Sequence, residues 1–321
     1  MNKNIIVGVD IGGTTVKIGL LKDDGEIIKK WEIETRKSED GGKVIDDIWD
    51  SVKATLNDLS MEQDQVLGIG IGAPGFIDGE NGYVYEAVNL GWRNFNLSEY
   101  MSNKSGLPVF IENDANIAVI GENWLGAGKQ ANDVIAVTLG TGVGGGIIAG
   151  GKILNGTNGT AGEIGHITVD LNGYLCNCGR KGCLETIASA TGIARQAIKL
   201  IEDKPTSKLA TIYQKNNTIT SKDVFELAAL GDEDSEQIVS HTANVIGFAL
   251  ANLTTTLNPS KILIGGGVSK AGNQLLQPIN KYFTKYALPR VREACELRIA
   301  ELGNDAGIIG AAYLVKKNII E

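Results

Sequence analysis

Asp133-Val134-Ile135-Ala136-Val137-Thr138-Leu139-Gly140-Thr141-Gly142-Val143-Gly144-Gly145-Gly146 is the stretch on which the fold turns. Its apolar run reads as a buried strand, and the glycines after it formally contain G-x-G-x-x-G, the dinucleotide fingerprint. That fingerprint has to open a helix, so that backbone amides meet a pyrophosphate at the helix start. Here Ile147-Ile148-Ala149-Gly150-Gly151-Lys152-Ile153-Leu154 carries on as strand and turn, so the dinucleotide reading is rejected. The run from Gly146 to Gly151-Lys152 also falls short of a P-loop, because Ile153 stands where Ser or Thr must meet magnesium. What remains is a hairpin with a Gly/Thr turn.

The same figure opens the chain. Asn4 to Asp10 reads as a strand, Ile11-Gly12-Gly13-Thr14-Thr15 as a tight turn, and Val16 to Leu21 as a second apolar run. A turn at Asp23-Asp24-Gly25-Glu26 leads to a third strand, Ile27 to Ile33, which makes an antiparallel meander. Two such hairpins, about 130 residues apart, point to a duplicated half. Thr14 and Thr15 offer hydroxyls, the glycines expose N–H groups, and Asp10 ends a strand where it can hold a hydrated magnesium ion. These are the parts of a phosphate clamp, and they are equally the parts of a plain hairpin turn. If the two turns face each other they can grip one phosphate chain from two sides.

Between the hairpins, residues 41–59 form an amphipathic helix with Val44, Ile45, Ile48, Val52 and Leu56 on one face. Residues 66–71 are a buried strand ending in Gly72-Ala73-Pro74-Gly75. Residues 76–97 read as loop-rich, from turn signals such as Asp78-Gly79 and Asn81-Gly82, with Asn89-Leu90-Gly91-Trp92 as part of a pocket wall. A helix at 97–105 leads to a strand at 108–111, which runs into Glu112-Asn113-Asp114-Ala115-Asn116. Ligands of open α/β sheets collect at the carboxyl ends of strands, so an acid there is a candidate general base. Asn113 or Asp114 can instead cap the helix expected at 115–125, and the two roles are compatible.

Further on, the spacing predicts helices at 186–201, 221–230 and 232–257, with a polar stretch at 202–220. Residues 261–264 form a strand, and Gly265-Gly266-Gly267-Val268 is a turn able to pack against a flat base such as adenine. A helix at 272–285, a strand at 296–300 and a helix at 306–317 complete the chain.

Three of the four cysteines, Cys176, Cys178 and Cys183, fall within eight residues, and His166 lies ten residues upstream of the first. Three thiolates and an imidazole suit tetrahedral zinc, although free or buried loop cysteines are the competing reading. Four protein ligands leave no open position, so the metal would be structural. Glu163 and Glu185 bracket the cluster, and Cys295 stands apart as a packing residue. A zinc hydrolase is disfavoured, because the other histidine, His241, sits in a predicted helix as a packing or surface residue.

The 321 residues, 43% hydrophobic and 21% charged, have an ordinary globular composition with room for two domains. A net charge of −8 repels nucleic-acid backbones and anionic membranes. The first apolar run, Ile5-Ile6-Val7, is too short for a signal peptide, and the longest apolar candidate, Val134 to Ala149, is broken by glycines. The expected location is therefore the cytoplasm, where clustered cysteines favour metal over disulfides.

Taken together, Asp10-Ile11-Gly12-Gly13-Thr14, Gly72-Ala73-Pro74-Gly75, Glu112 to Asn116, Leu139 to Gly146, Glu163-Ile164-Gly165-His166 and the Cys176–Glu185 loop resemble the ROK family of sugar kinases and repressors, most of all its bacterial glucokinase branch. The resemblance runs nearly from end to end. It implies an α/β fold of the actin-like ATPase (ribonuclease H-like) superfamily, with two domains and an interdomain cleft. The first domain would take residues 1–115 plus the final helix, 305–321, and the second residues 116–304 with the zinc loop. It implies MgATP-dependent phosphorylation of glucose, with Asp114 taking the proton of the sugar 6-hydroxyl. Gly75, Asn113, Asp114, Glu163, His166 and Glu185 would contact the sugar. Asp10, Gly12, Gly13, Thr14, Thr15, Lys17, Thr141, Gly142, Gly266 and Gly267 would hold MgATP, and His166, Cys176, Cys178 and Cys183 structural zinc. A homodimer or homotetramer is the family expectation.

Fructose, N-acetylmannosamine or N-acetylglucosamine are alternative sugars, since one hydroxyl or acetyl group can invert selectivity. Polyphosphate is an alternative donor. A sugar-responsive repressor is disfavoured, because it needs an added DNA-binding module, while three residues precede the first expected strand and the charge is acidic.

Overall fold

The amino-terminal hairpin is the centre of a five-stranded sheet in a computed structural model that describes residues 4–38 and 41–321. Met1, Asn2 and Lys3, the lead-in to the first predicted strand, lie outside the described residues. Strand β1 (Ile5–Ile11) pairs antiparallel with β2 (Thr15–Lys22), placing Asp10 opposite Lys17, and β3 (Ile27–Glu34) extends the meander. Helix α1 (Gly42–Asp58) buries Val44, Ile45, Ile48, Trp49, Val52 and Leu56. Strand β4 (Val66–Ala73) runs parallel to β1.

The segment expected as loop-rich at 76–97 contains β5 (Phe76–Asp78), β6 (Tyr83–Ala87) and β7 (Trp92–Phe95), a small antiparallel sheet. Its strands are so short that turn residues dominate the pattern. Leu90 and Trp92, expected in a pocket wall, are buried in the core instead, with the Trp92 indole N–H donating to the Gly41 carbonyl. Helix α2 (Leu97–Ser105), strand β8 (Val109–Asn113) and helix α3 (Asp114–Leu125) follow, and β8 lies parallel to β4. The sheet order is β3-β2-β1-β4-β8.

The second hairpin, β9 (Val134–Leu139) with β10 (Val143–Ala149), repeats the plan, and β11 (Lys152–Ile153) follows it. The predicted single helix at 186–201 is two: α4 (Glu185–Ala188) and α5 (Ala190–Asp203). Ser189 makes the break, its hydroxyl accepting from the Gly192 N–H to cap α5. The polar stretch conceals α6 (Lys208–Asn216), which starts at the Ser207 cap and buries only Leu209 and Ala210. Helices α7 (Ser221–Ala229) and α8 (Glu233–Leu257) lead to β12 (Lys261–Gly265). Then come α9 (Asn273–Tyr286), the short α10 (Pro289–Ala294), which was not predicted, and β13 (Glu296–Ile299). Strands β9, β12 and β13 are mutually parallel neighbours, and the sheet order is β11-β10-β9-β12-β13.

The last helix, α11 (Ala306–Ile319), returns to pack on α3, β1 and β4. The approach is backbone to backbone: a Cβ at Gly70 would overlap the Ala311 carbonyl, and one at Gly310 the Ile117 carbonyl. The return is pinned by Glu122, a buried carboxylate that accepts from the N–H groups of Ala127, Glu301 and Leu302. By contacts the chain divides into one unit up to Gln130 with Ile153–Ala161 and Glu301–Glu321, and another of Ala131–Lys152 with Gly162–Ala300. Residues 116–130 thus group with the first unit, because α3 is the platform on which α11 packs. No helix among the described residues is long and apolar enough to cross a membrane.

Candidate functional site

In the first unit, the turn between β1 and β2 is closed by the Gly12 N–H donating to the Thr15 carbonyl at 2.9 Å. Thr35 steadies it from outside. Its hydroxyl donates to the Gly12 carbonyl and its N–H to that of Thr14. The Thr14 side chain is left exposed, and Gly13 has room for a Cβ, so this turn is open for a ligand. Asp10 lies one residue before the end of β1, with Lys17 Nζ 3.8 Å from its carboxylate. Burial pushes the Asp10 carboxyl up to about 6 despite Lys17, and the charge of Asp114 adds to the rise. A carboxyl of that kind gains from a cation.

Asp114 opens α3 at the carboxyl end of β8, and the Ala115 N–H donates to its Oδ1 at 2.8 Å. Burial raises its pKa, while the backbone N–H groups pull it back. The cap itself is Asn113, whose Oδ1 accepts from the N–H groups of Ala115 and Asn116, while Asp114 shares only the Ala115 N–H. Asn113 Nδ2 donates to the Gly75 carbonyl at 3.0 Å, which joins two of the expected sugar-contacting positions. Gly75 sits at φ +105°, where a Cβ would strike the Glu86 carbonyl, so only glycine fits this turn.

In the second unit, the Gly140 N–H donates to the Gly142 carbonyl at 2.9 Å, leaving the Thr141 side chain exposed. Gly266, at φ +83°, lies against the Leu139 backbone, so the Gly266–Gly267 turn stands at the same strand ends as Thr141 and Gly142. Glu185 Oε2 accepts from the Val143 N–H at 3.0 Å, which ties the start of α4 to this turn.

The cysteine loop is a knuckle held by bridges between Thr168 and Cys183 and between Leu175 and Lys181. His166, Cys176, Cys178 and Cys183 bring their ligand atoms within 4.8 Å of one another. Cys176 Sγ is 3.6 Å from His166 Nδ1, and Cys178 Sγ is 3.6 Å from Cys183 Sγ. A tetrahedron with bonds of about 2.3 Å to sulfur and about 2.0–2.1 Å to nitrogen has edges near these lengths, so the donor set fits zinc. Burial pushes the Cys183 thiol up to about 12 and the Cys176 thiol upward, while the Arg180 backbone N–H helps draw Cys178 down to about 6. A dication reconciles the three, since coordination deprotonates thiols outright. His166 Nε2 lies 3.9 Å from Glu163 Oε2, and Cys176 Sγ 3.6 Å from Glu185 Oε1, so both bracketing carboxylates touch the knuckle.

The ROK family model matches residues 6–318. The chain belongs to the ROK family. It is 52% identical to a glucokinase of Halalkalibacterium halodurans, over 99% of this chain and 96% of that one. Its fold resembles a ROK family glucokinase from Streptomyces griseus, solved with glucose and AMPPNP, with TM-score 0.79, 36% identity and coverage of 98% and 99%. A ROK family transcriptional regulator, homologous to the E. coli MLC protein, has TM-score 0.87 at 27% identity, and the match spans 98% of this chain and 78% of the regulator. The mixed α/β fold is thus the actin-like ATPase fold of ROK proteins, as the motifs implied.

One part of this ROK site escaped sequence reasoning. Glu112, only 4% exposed, accepts at Oε1 from the Asn113 N–H (2.8 Å) and Asn116 Nδ2 (3.1 Å), and at Oε2 from Asn155 Nδ2 (3.1 Å). Asn116 Nδ2 also donates to Asn155 Oδ1 at 3.0 Å, which closes a ring of three side chains. The acid next to Asn113 was the available signal. Its distant partner, Asn155, carries none.

Proposed function

We propose that this ROK protein is an ATP-dependent glucose kinase. Asp114 carries the reading. It is a half-buried carboxylate at a strand end, beside the Asn113 cap, with its pKa raised by burial, as suits a base. It takes the proton of the sugar 6-hydroxyl as that oxygen attacks the γ-phosphorus of ATP. The P–O bond to ADP breaks, and glucose 6-phosphate and ADP leave. Phosphoryl transfer rests on positioning and charge neutralisation, which fits a site built from turns and carboxylates.

In this reading Gly75 and Asn113, with Glu163, His166 and Glu185, hydrogen-bond the sugar hydroxyls. A neutral polyol needs such a mixture of amide and carboxylate partners. Asp10, with Lys17 beside it, would hold a hydrated magnesium ion, whose charge would offset that of the ATP phosphates. Gly12, Gly13, Thr14, Thr15, Thr141 and Gly142 hold the phosphates, and Gly266 and Gly267 the adenosine. His166 and the three thiolates would hold a zinc ion whose contribution is structural, fixing the loop that precedes Glu185 and orienting the imidazole. The family's dimeric or tetrameric assembly, a cytoplasmic location and entry of glucose into glycolysis complete the proposal. A sugar-responsive regulator is the second reading, favoured by the likeness to the transcriptional regulator. The net charge of −8 speaks against DNA as a direct partner.

Asp114→Ala tests the reading with MgATP and glucose. Turnover should fall by roughly 10²–10⁴-fold, the usual worth of a general base, with glucose still bound. Near-normal turnover would remove Asp114 from its role.

A further inference from the structure

Asn155 belongs to a segment, Ile153–Ala161, that leaves the second sheet and joins the first unit. Residues 155–160 form one wall of a cavity of about 620 Å³, whose other wall is Phe76 to Asn81 with Tyr85. What fixes that wall is the ring of Glu112, Asn116 and Asn155. Asn155 donates through Nδ2 to Glu112 Oε2 and accepts through Oδ1 from Asn116, so its amide faces the ring at both ends. Glu112 in turn receives the Asn113 N–H, and Asn113 both caps α3 and donates to the Gly75 carbonyl. One buried carboxylate therefore sets three segments together: the strand end bearing Asp114, the Gly75 turn and the cavity wall.

We propose that Glu112 and Asn155 are positioning residues for the sugar half of the reaction: their ring fixes Asn113, Asp114 and the 155–160 wall in one arrangement, and neither needs to touch the reacting atoms. The chemistry of the ring supports a specific role over general stability. A buried carboxylate is costly unless hydrogen-bonded, and an apolar core would hold the segments without it. Here three donors satisfy it, two from the Asn113–Asn116 turn that the kinase reading places at the sugar and one from the cavity wall at Asn155. None of these bonds involves the Gly12–Thr15 turn, so the sugar and the nucleotide should respond differently when the ring is broken.

The inference rests on the kinase reading. Wild-type turnover tests that reading, whereas the ratios of variant to wild type test this one. Glu112→Gln points an amide at a donor, and Asn155→Asp sets two carboxylates against each other. Each should raise the sugar KM by about 10-fold or more, the scale of a lost hydrogen bond to a charged group, with the ATP KM within about twofold. Asn155→Asp should also recover sugar affinity as the pH falls and the pair takes up one proton. Combining the two substitutions reverses one donor: the amide on the strand side now donates to the carboxylate on the loop side. The double variant should return the sugar KM to within about threefold of wild type.

A purely structural ring would behave otherwise, and any of three results overturns the proposal. These are melting points that fall with both KM values unchanged, sugar and ATP KM values that rise together, or a double variant no better than either single one. Should a single variant fail to fold, the double variant decides alone. A folded protein with near-parental sugar KM supports the ring, and an unfolded or equally impaired one contradicts it.

Discussion

The two five-stranded sheets share one strand order and one Gly/Thr hairpin, yet they support their turns differently. One step back from the first turn, Asp10 faces Lys17 across the hairpin. At the same step in the second, Thr138 faces Gly144. The first turn thus has strand-borne charges of its own. The second has none and takes a carboxylate from elsewhere, Glu185, which grips the Val143 N–H and stands against Cys176. The difference teaches that a duplicated scaffold fixes the shape of both turns, while their electrostatics are added separately. Among the described residues, the second turn alone is wired to the cysteine knuckle.

The strongest way to break this contrast is through the knuckle. Purified protein should carry one zinc per chain, and Cys178→Ser should remove it, lower the melting temperature by roughly 5–10 °C and raise the glucose KM by about 10-fold. Metal analysis, a melting scan and steady-state kinetics check this, and metal-free protein with full activity would end the coupling between knuckle and site. A smaller effect compares the turns directly. Thr141→Val and Thr14→Val should each raise the ATP KM by about 3–10-fold, the worth of one hydrogen bond, with the sugar KM within about twofold. An unchanged ATP KM in either variant removes that turn from the clamp.

The smallest effect sharpens the charge asymmetry. Asp10 has a folded-state pKa of about 6, above the ordinary 3.8, so the folded protein holds this proton more tightly than the unfolded chain. Its favourable contribution is complete below the ordinary value and is lost as the pH rises through about 6. Asp10→Asn should therefore melt a few degrees higher than wild type at pH 8, without added magnesium, and the difference should vanish toward pH 4. The same variant should bind MgATP more weakly. A stability difference that grows toward acid pH would contradict the assignment.

How much of this was legible in the sequence depended on the range of the signal. Both hairpins, their meander and the rejection of a dinucleotide fold followed from apolar runs broken by glycines, because strand and turn are local properties. The α3 cap could be narrowed to Asn113 or Asp114 but not decided, since both side chains reach the same N–H groups. Strands β5 to β7 were hidden because three- to five-residue strands lie among Asp-Gly and Asn-Gly turns. Helix α6 was hidden because it is short and polar and buries only two residues. The cysteine cluster was visible from spacing, but the grip of Glu185 on Val143 was not, because it spans 42 residues. The Glu112 ring, closed across 43 residues by Asn155, left no pattern beyond the acid next to Asn113. Polar networks of this kind are set by tertiary packing, and no period in the sequence encodes them.

The measurement that bears most directly on the central claim is MgATP-dependent ADP release by the wild-type protein with glucose, mannose, fructose, N-acetylglucosamine and N-acetylmannosamine. The account predicts turnover with the highest kcat/KM for glucose. Preference for another hexose would keep the mechanism and change the substrate, and no ADP release above background with any of the five would contradict the kinase reading.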